Sequence, residues 1–302
     1  RNPEYIHGKF DILHHAIITY AVAPQALQRY IHKRYVCETF TDTDGTDKAL
    51  VSVVISQSTP HGLRFINRLI DPPPYTSVSY RCLVKDKVFW YRSTWMFAAF
   101  QKSLFYSRFS RRVYGLPLYN TKVHLNQSFD MDQMRYKSFQ VSCDGEKGIG
   151  RFNMSLLDTG TPLLEAPTFP GFDNNESMLA AVGLPSETVT PGQAKVLYRQ
   201  GMQCTPFHPA VGKMDQCSSI AFLTDTLGLH VNIEKPHSVL LQHRVEGMQT
   251  LSMDAEVETE HDHHDLGQGA NLNSRIQRKA MNRAFAFTDT IRDKFYKENA
   301  GK

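Results

Sequence analysis

The chain has 302 residues, 41% of them hydrophobic and 21% charged, with a formal net charge of +4. That length and balance suit one large globular body with a buried core, and they exclude long disordered tracts. The charge is too modest for a dedicated nucleic-acid binder, and no stretch reaches the ~20 apolar residues of a membrane-spanning helix.

Five cysteines, Cys37, Cys82, Cys143, Cys204 and Cys217, stand at least 13 positions apart. They make neither a CxxC pair nor a disulfide framework, so a reducing, cytoplasmic setting is expected. In chain order, residues 10–22 read as a strand. Pro24 then sits at a first helical position, and Leu27, Tyr30 and Ile31 give 23–35 a helical stripe. Residues 49–57 (ALVSVVISQ) are β-branched and short, a buried strand. Pro72, Pro73 and Pro74 force a loop. A hairpin follows, 75–84 and 88–94, turning at Lys85-Asp86-Lys87.

The run 95–113 reads as a helix with Phe97, Phe100, Leu104 and Phe105 facing the core, closed by Gly115 and Pro117. Further strands are expected at 118–128, 134–143 and 148–157, with Asp144-Gly145 turning between the last two. Residues 158–192 are rich in Pro, Gly, Thr and Asn, an irregular excursion with a short helix at 177–182. Residues 193–229 show only short elements, and 238–250 is a late strand. An acidic, His-rich loop at 256–269 then leads into an amphipathic helix at 274–296, striped by Ile276, Ala280, Ala284, Phe287, Ile291 and Phe295. Strands in hairpin succession beside segregated helices indicate an α+β fold. The division expected is 1–253 as the main domain and 254–302 as loop and C-terminal helix.

Between residues 64 and 125 the order is a proline-bearing loop, the strands YTSVSYRCLV and VFWYRS, a helix, and then YGLPLYNTKV. This stretch resembles the acetoacetate-decarboxylase-like superfamily, in its uncharacterised bacterial YqjF-like branch, and the opening ITYAVAPQALQRYI is similar too. The resemblance is strongest over about a fifth of the chain and extends by order of elements to about residue 250. It implies a closed, cone-shaped antiparallel β-barrel with a pocket inside, acting on or binding a small organic acid or oxo compound.

Tyr114-Gly115-Leu116-Pro117 matches the family's Gly-x-Pro corner. In the decarboxylase the residue after that proline is the Schiff-base lysine, with a second lysine beside it. Here those positions are Leu118 and Tyr119, and leucine forms no imine. The branch's Glu-x-Asn-x-Arg pattern reads Ser77-Val78-Ser79-Tyr80-Arg81, keeping only the arginine.

Strand alternation puts Leu118, Asn120, Lys122 and His124 on one face. Lys122 is the candidate nucleophile or base if burial lowers its pKa, and otherwise a solvated rim lysine. Arg81 is the candidate carboxylate anchor, through paired guanidinium hydrogen bonds, or else the partner of a structural carboxylate. Tyr119, Asn120 and His124 complete the candidate ligand contacts. Lys102, Arg108, Arg111 and Arg112 read as cations at a helix C-terminus rather than a nucleic-acid stripe. His261-Asp262-His263-His264-Asp265 carries metal-ligand residue types, but lacks the i, i+4 spacing that converges on one ion, so no metal and no cofactor is expected. Two readings stay open, a lyase-like enzyme without the imine lysine and a non-catalytic carrier or interaction module. A homo-oligomer through the C-terminal helix is the expected assembly.

Overall fold

The computed structural model describes residues 6–61, 63–65, 68–70, 74–102, 111, 115–146, 149–183, 187–192, 196–201, 203–251 and 254–257. The described chain is mostly strand. It opens with β1 (Ile6–Val22), a short helix α1 (Pro24–Gln28), β2 (Tyr35–Cys37), β3 (Thr39–Thr41) and β4 (Asp47–His61). Two three-residue strands, β5 (Leu63–Phe65) and β6 (Arg68–Ile70), form a separate pair. The long hairpin β7 (Tyr75–Asp86) and β8 (Arg92–Gln101) follows. Next come β9 (Leu118–Asn120), β10 (Val123–Asp130), β11 (Arg135–Cys143) and β12 (Phe152–Pro162). The remainder comprises helix α2 (Asn175–Val182), β13 (Glu187–Pro191), β14 (Val196–Gly201), β15 (Gln203–Cys204), β16 (Ala210–Ile220), β17 (Ser238–Leu251) and β18 (Asp254–Val257).

Apart from β5 and β6, these strands form one sheet whose main path runs β10-β11-β12-β16-β17-β1-β4-β7-β8-β13-β14-β18. The expected fold class holds in its strand-dominated, few-helix character. The sheet is mixed, however, since β8 pairs in parallel with both β13 and β9, and among the described residues its pairings do not close into an antiparallel barrel. β9 lies against β8, and two residues later the chain enters β10 at the far end of the path.

One face of the sheet feeds a continuous core. Ala16, Ile18 and Tyr20 of β1, Val51, Val53 and Ile55 of β4, and Val78, Tyr80, Cys82 and Val84 of β7 all enter it. Phe139 and Val141 of β11, Phe152 and Met154 of β12, and Leu241 of β17 join from the other strands. The opposite face carries two smaller apolar clusters. The first unites Ile17, Val54 and Leu240 with Leu163 and with Met178 and Val182 of α2. The second unites Ala99, Leu116, Leu118, Val196 and Tyr198. α2 is held at its start by a capping box in which the Asn174 side chain accepts the Ser177 N–H.

Several sequence expectations need correction. The helix expected over 95–113 is a strand as far as Gln101, while 103–110 fall outside the described residues. β8 is covered on both sides, with Trp95, Phe97 and Phe100 in the main core and Ala99 in the second outer cluster. A strand buried on both faces shows no alternation, so its continuous apolar run mimics a helix. The helix expected over 23–35 stops at Gln28, and Tyr35 already belongs to β2. The hairpin turns at 87–91 rather than 85–87. The amphipathic helix expected at 274–296 lies outside the described residues, as do Pro72, Pro73 and the His261–Asp265 cluster. Asp254–Val257 adds a strand to β14.

Candidate functional site

Register decides which side chains meet. In β7 the core takes Val78, Tyr80, Cys82 and Val84, so Ser77, Ser79 and Arg81 lie on the other face. Arg81 therefore faces away from the principal core. Across the sheet, Gln242, His15, Ser56, Ser77, Gln101 and Asn120 are successive register partners. They form one polar row across β17, β1, β4, β7, β8 and β9. The neighbouring row on that face is Leu240, Ile17, Val54, Ser79, Ala99 and Leu118, in which Ser79 is the only polar member. The row beyond it runs Ser238, Thr19, Ser52, Arg81 and Met96.

The strip of Ser56, Ser77, Ser79 and Arg81 lies between the two outer apolar clusters, a polar floor with an apolar wall on each side. Ser56 and Ser77 share an Oγ–Oγ hydrogen bond of 2.9 Å. Gln242 accepts the His208 backbone N–H through Oε1 at 2.8 Å. Arg81 stands four residues along β7 from Ser77, about 13 Å of strand rise.

His15 is the buried end of the row. It is 1% exposed, its ring meets Phe207 edge-on at 5.5 Å, and neither ring nitrogen has a hydrogen-bond partner among the described residues. Burial, and secondarily the positive charge of Arg81, lowers its pKa to about 3. His15 is thus neutral at physiological pH, with one N–H donor and one acceptor nitrogen.

Its neighbour His14 points to the other side of β1. His14 Nδ1 lies 3.1 Å from the Tyr136 hydroxyl, its Nε2 lies 2.8 Å from Gln127 Nε2, and its ring is 5.2 Å from that of His243. Burial and the nearby His243 lower its pKa to about 4. A separate open cleft of about 260 Å³ is lined by Arg29, Tyr30, Trp95, Pro191, Val196 and Leu197 among others, and no member of the polar row lines it.

The residues singled out from sequence are distributed unevenly. Arg81 and Asn120 share the face of the polar row, Asn120 within it. Tyr119 points to the opposite side, where it stacks on Phe100 at 4.8 Å and receives the Arg111 guanidinium over its ring. Lys122 and His124 are exposed, while the intervening Val123 and then Leu125 pack against the main core. The strand breaks at Thr121, whose hydroxyl donates to Gly145 O at 3.1 Å, and Lys122 emerges into solvent beside it. Leu118 is buried against Ala99, Leu116, Val196 and Tyr198. Sequence reasoning missed His15, Ser56, Gln101 and Gln242. The even-numbered serines of β4 carried a signal, but only register shows that they join a row.

No family model and no curated protein matches the sequence. Among solved structures, an acetoacetate decarboxylase from Legionella pneumophila is similar at 14% identity and TM-score 0.49, over 84% of this chain and 90% of that one. The enduracididine biosynthesis enzyme MppR is similar at 10% identity and TM-score 0.48, over 83% and 88%. An acetoacetate-decarboxylase-like enzyme from Sphingomonas wittichii is similar at 10% identity and TM-score 0.46, over 82% and 94%. The neighbours are acetoacetate decarboxylase and enzymes like it.

Proposed function

We propose that this protein binds a small organic acid or oxo compound over the polar row, and handles it without an imine-forming lysine. The observation behind this reading is the row itself, with Arg81 beyond it, lying between two apolar clusters. In this reading Arg81 holds the carboxylate with its planar fork. Ser56, Ser77 and Asn120 offer hydroxyl and amide groups to the oxo or hydroxyl oxygen. His15 completes its hydrogen bonding only when the ligand's arrival opens the contact with Phe207. A neutral imidazole there polarises a carbonyl as donor or takes a proton as acceptor, which is the lyase-like form of the reading. Lys122, exposed, takes no part in this scheme, and neither does Tyr119. The YqjF-like branch and a barrel closed through β9 and β10 belong to the same proposal.

A second reading, a ligand carrier without turnover, is favoured by Leu118, because an alkyl side chain there supplies no nucleophile. Calorimetric titration of the purified protein with pyruvate, acetoacetate and a matched series lacking the carboxylate tests binding. Carboxylate-dependent binding lost in Arg81→Ala supports the proposal. Equal binding by the carboxylate-free series, or none at all, overturns it. Borohydride reduction in the presence of the oxo acid is expected to leave the protein mass unchanged, and stoichiometric trapping on any lysine would refute the imine-free mechanism. Product formation followed by NMR separates enzyme from carrier.

A further inference from the structure

The tip of the β7–β8 hairpin exposes three consecutive apolar side chains, Val88 at 59%, Phe89 at 58% and Trp90 at 67%. Such a run at a projecting turn is costly in water and is ordinarily avoided. Here it is held firmly. Asp86 is completely buried, and its Oδ1 accepts the backbone N–H groups of Val88 and Phe89 at 2.8 and 3.2 Å. Its Oδ2 takes Arg34 Nε at 2.9 Å and Arg199 at 3.4 Å. Trp90 adopts a left-handed backbone with φ 60°, a region bulky residues seldom enter, and its N–H is fixed to Asp86 O at 2.9 Å. Phe89 stacks on Tyr91.

Cations surround the tip. The Lys85 ammonium sits 5.0 Å over the Trp90 ring, and Arg34 5.2 Å over Phe89. Lys33 and Lys87 are both exposed and linked, with Lys87 Nζ donating to Lys33 O. Arg92 is exposed and paired with Glu38. The acids close by are engaged internally: Asp86 by the two arginines, Glu38 by Arg92, and Glu187 through Ser93 Oγ. Among the described residues the exposed charge around the three apolar residues is therefore positive.

We infer that this hairpin tip docks the protein onto an anionic lipid surface, with Val88, Phe89 and Trp90 entering the interface and Lys85 and Lys87 meeting the headgroups. A short apolar turn flanked by cations matches an anionic lipid interface, which takes apolar side chains below its headgroups and cations at its phosphates. Aromatic rings favour that boundary, and lysines reach from it to headgroup phosphates along their alkyl arms. No spanning helix is needed for such contact.

The chain's two tryptophans make the test internal, because Trp95 is only 2% exposed whereas Trp90 is in water. The full chain is mixed with vesicles of phosphatidylcholine alone, or of phosphatidylcholine with phosphatidylserine. A blue shift of tryptophan emission and co-sedimentation are expected only with the second, and weakened by salt. Phe89→Ser, which keeps the Trp90 reporter, and Phe89→Ser with Trp90→Ser should each abolish sedimentation while leaving the far-ultraviolet spectrum unchanged. Lys85→Ser with Lys87→Ser should weaken it roughly tenfold or more. The absence of anion-dependent binding overturns the inference, as does binding unaffected by these variants. Self-association dispersed by Trp90→Ser would assign the tip to a second copy of the chain, and capture of an acidic peptide in place of vesicles would assign it to a protein partner. Either result refutes the lipid docking.

Discussion

Ser77 and Ser56 hydrogen-bond through their hydroxyls at 2.9 Å, directly beside the row that contains Leu118 opposite Ala99. The resemblance expects a glutamate at position 77 and a lysine at 118, so the two departures lie on one face, in adjacent rows two strands apart. Leu118→Lys would place an amine among Ala99, Leu116, Val196 and Tyr198. Desolvation there disfavours the ammonium and lowers its pKa. We predict that Leu118→Lys with Ser77→Glu becomes trappable by borohydride with a 2-oxo acid at position 118, at a cost of about 2–4 kcal/mol in stability. Peptide mapping after reduction checks the first outcome and urea denaturation the second.

His15 shows the trade between stability and use. Its two ring nitrogens are buried without partners among the described residues, and a buried polar group left unsatisfied costs about 1–3 kcal/mol. His15→Leu keeps the approximate volume beside Phe207 and removes that penalty. The variant is predicted to be more stable than the parent by about 1 kcal/mol and to lose affinity for the organic acid. Chemical denaturation and calorimetric titration of the same preparation measure both. A less stable variant would mean that His15 is a structural group.

Much of the fold was legible where one side of a strand faces solvent or a polar strip. β7 and β11 largely alternate and their positions follow from that period, whereas β4, buried throughout 49–55, was marked by its β-branched run. β8 was misread because both of its faces are covered, and 193–229 resisted because short strands there pair with distant partners such as β17 and β18. The site was legible only in part. Parity places Leu118 and Asn120 together, and likewise Ser77 and Arg81, from sequence alone. The joining of His15 to Ser56, Ser77, Gln101 and Asn120 depends on the registers of four strand pairings, which no local pattern encodes.

The histidines give a pH dependence of definite sign. His14 and His243 are register partners, and burial is the main reason both pKa values are lowered, that of His14 to about 4. His15 is lowered to about 3. The charged and titratable groups facing them include Tyr136, Arg244 and Arg81, of which the two arginines act in the same direction as burial. Below an unfolded-state value of about 6.5 the unfolded chain binds protons that the native histidines refuse. Stability is therefore full above pH 7 and declines as pH falls from about 6.5 toward 4. The slope reaches at most about 1.4 kcal/mol per pH unit for a fully buried histidine such as His15, and less for His14 and His243, which solvent reaches more easily. Melting temperatures at pH 7.5 and 5.5 should differ by several degrees, and the difference should shrink in His15→Leu.

Asp86 anchors the hairpin from inside, so its removal has the largest predicted effect on folding. Arg34 and Arg199 would be left with no carboxylate at Asp86, and the Val88 and Phe89 N–H groups would lose their acceptor. Breaking a buried pair by deleting one partner typically costs about 3–5 kcal/mol, and that is the expected loss for Asp86→Ala in chemical denaturation. Asp86→Asn is the more informative change. It keeps an Oδ1 acceptor for the two backbone donors but sets an amide N–H₂ against two guanidinium groups that also only donate. If the arginines carry the energy, the asparagine variant falls nearly as far as the alanine one. If the turn carries it, most of the stability returns. The first outcome is expected, because both charge-assisted bonds end on the oxygen that the amide nitrogen replaces.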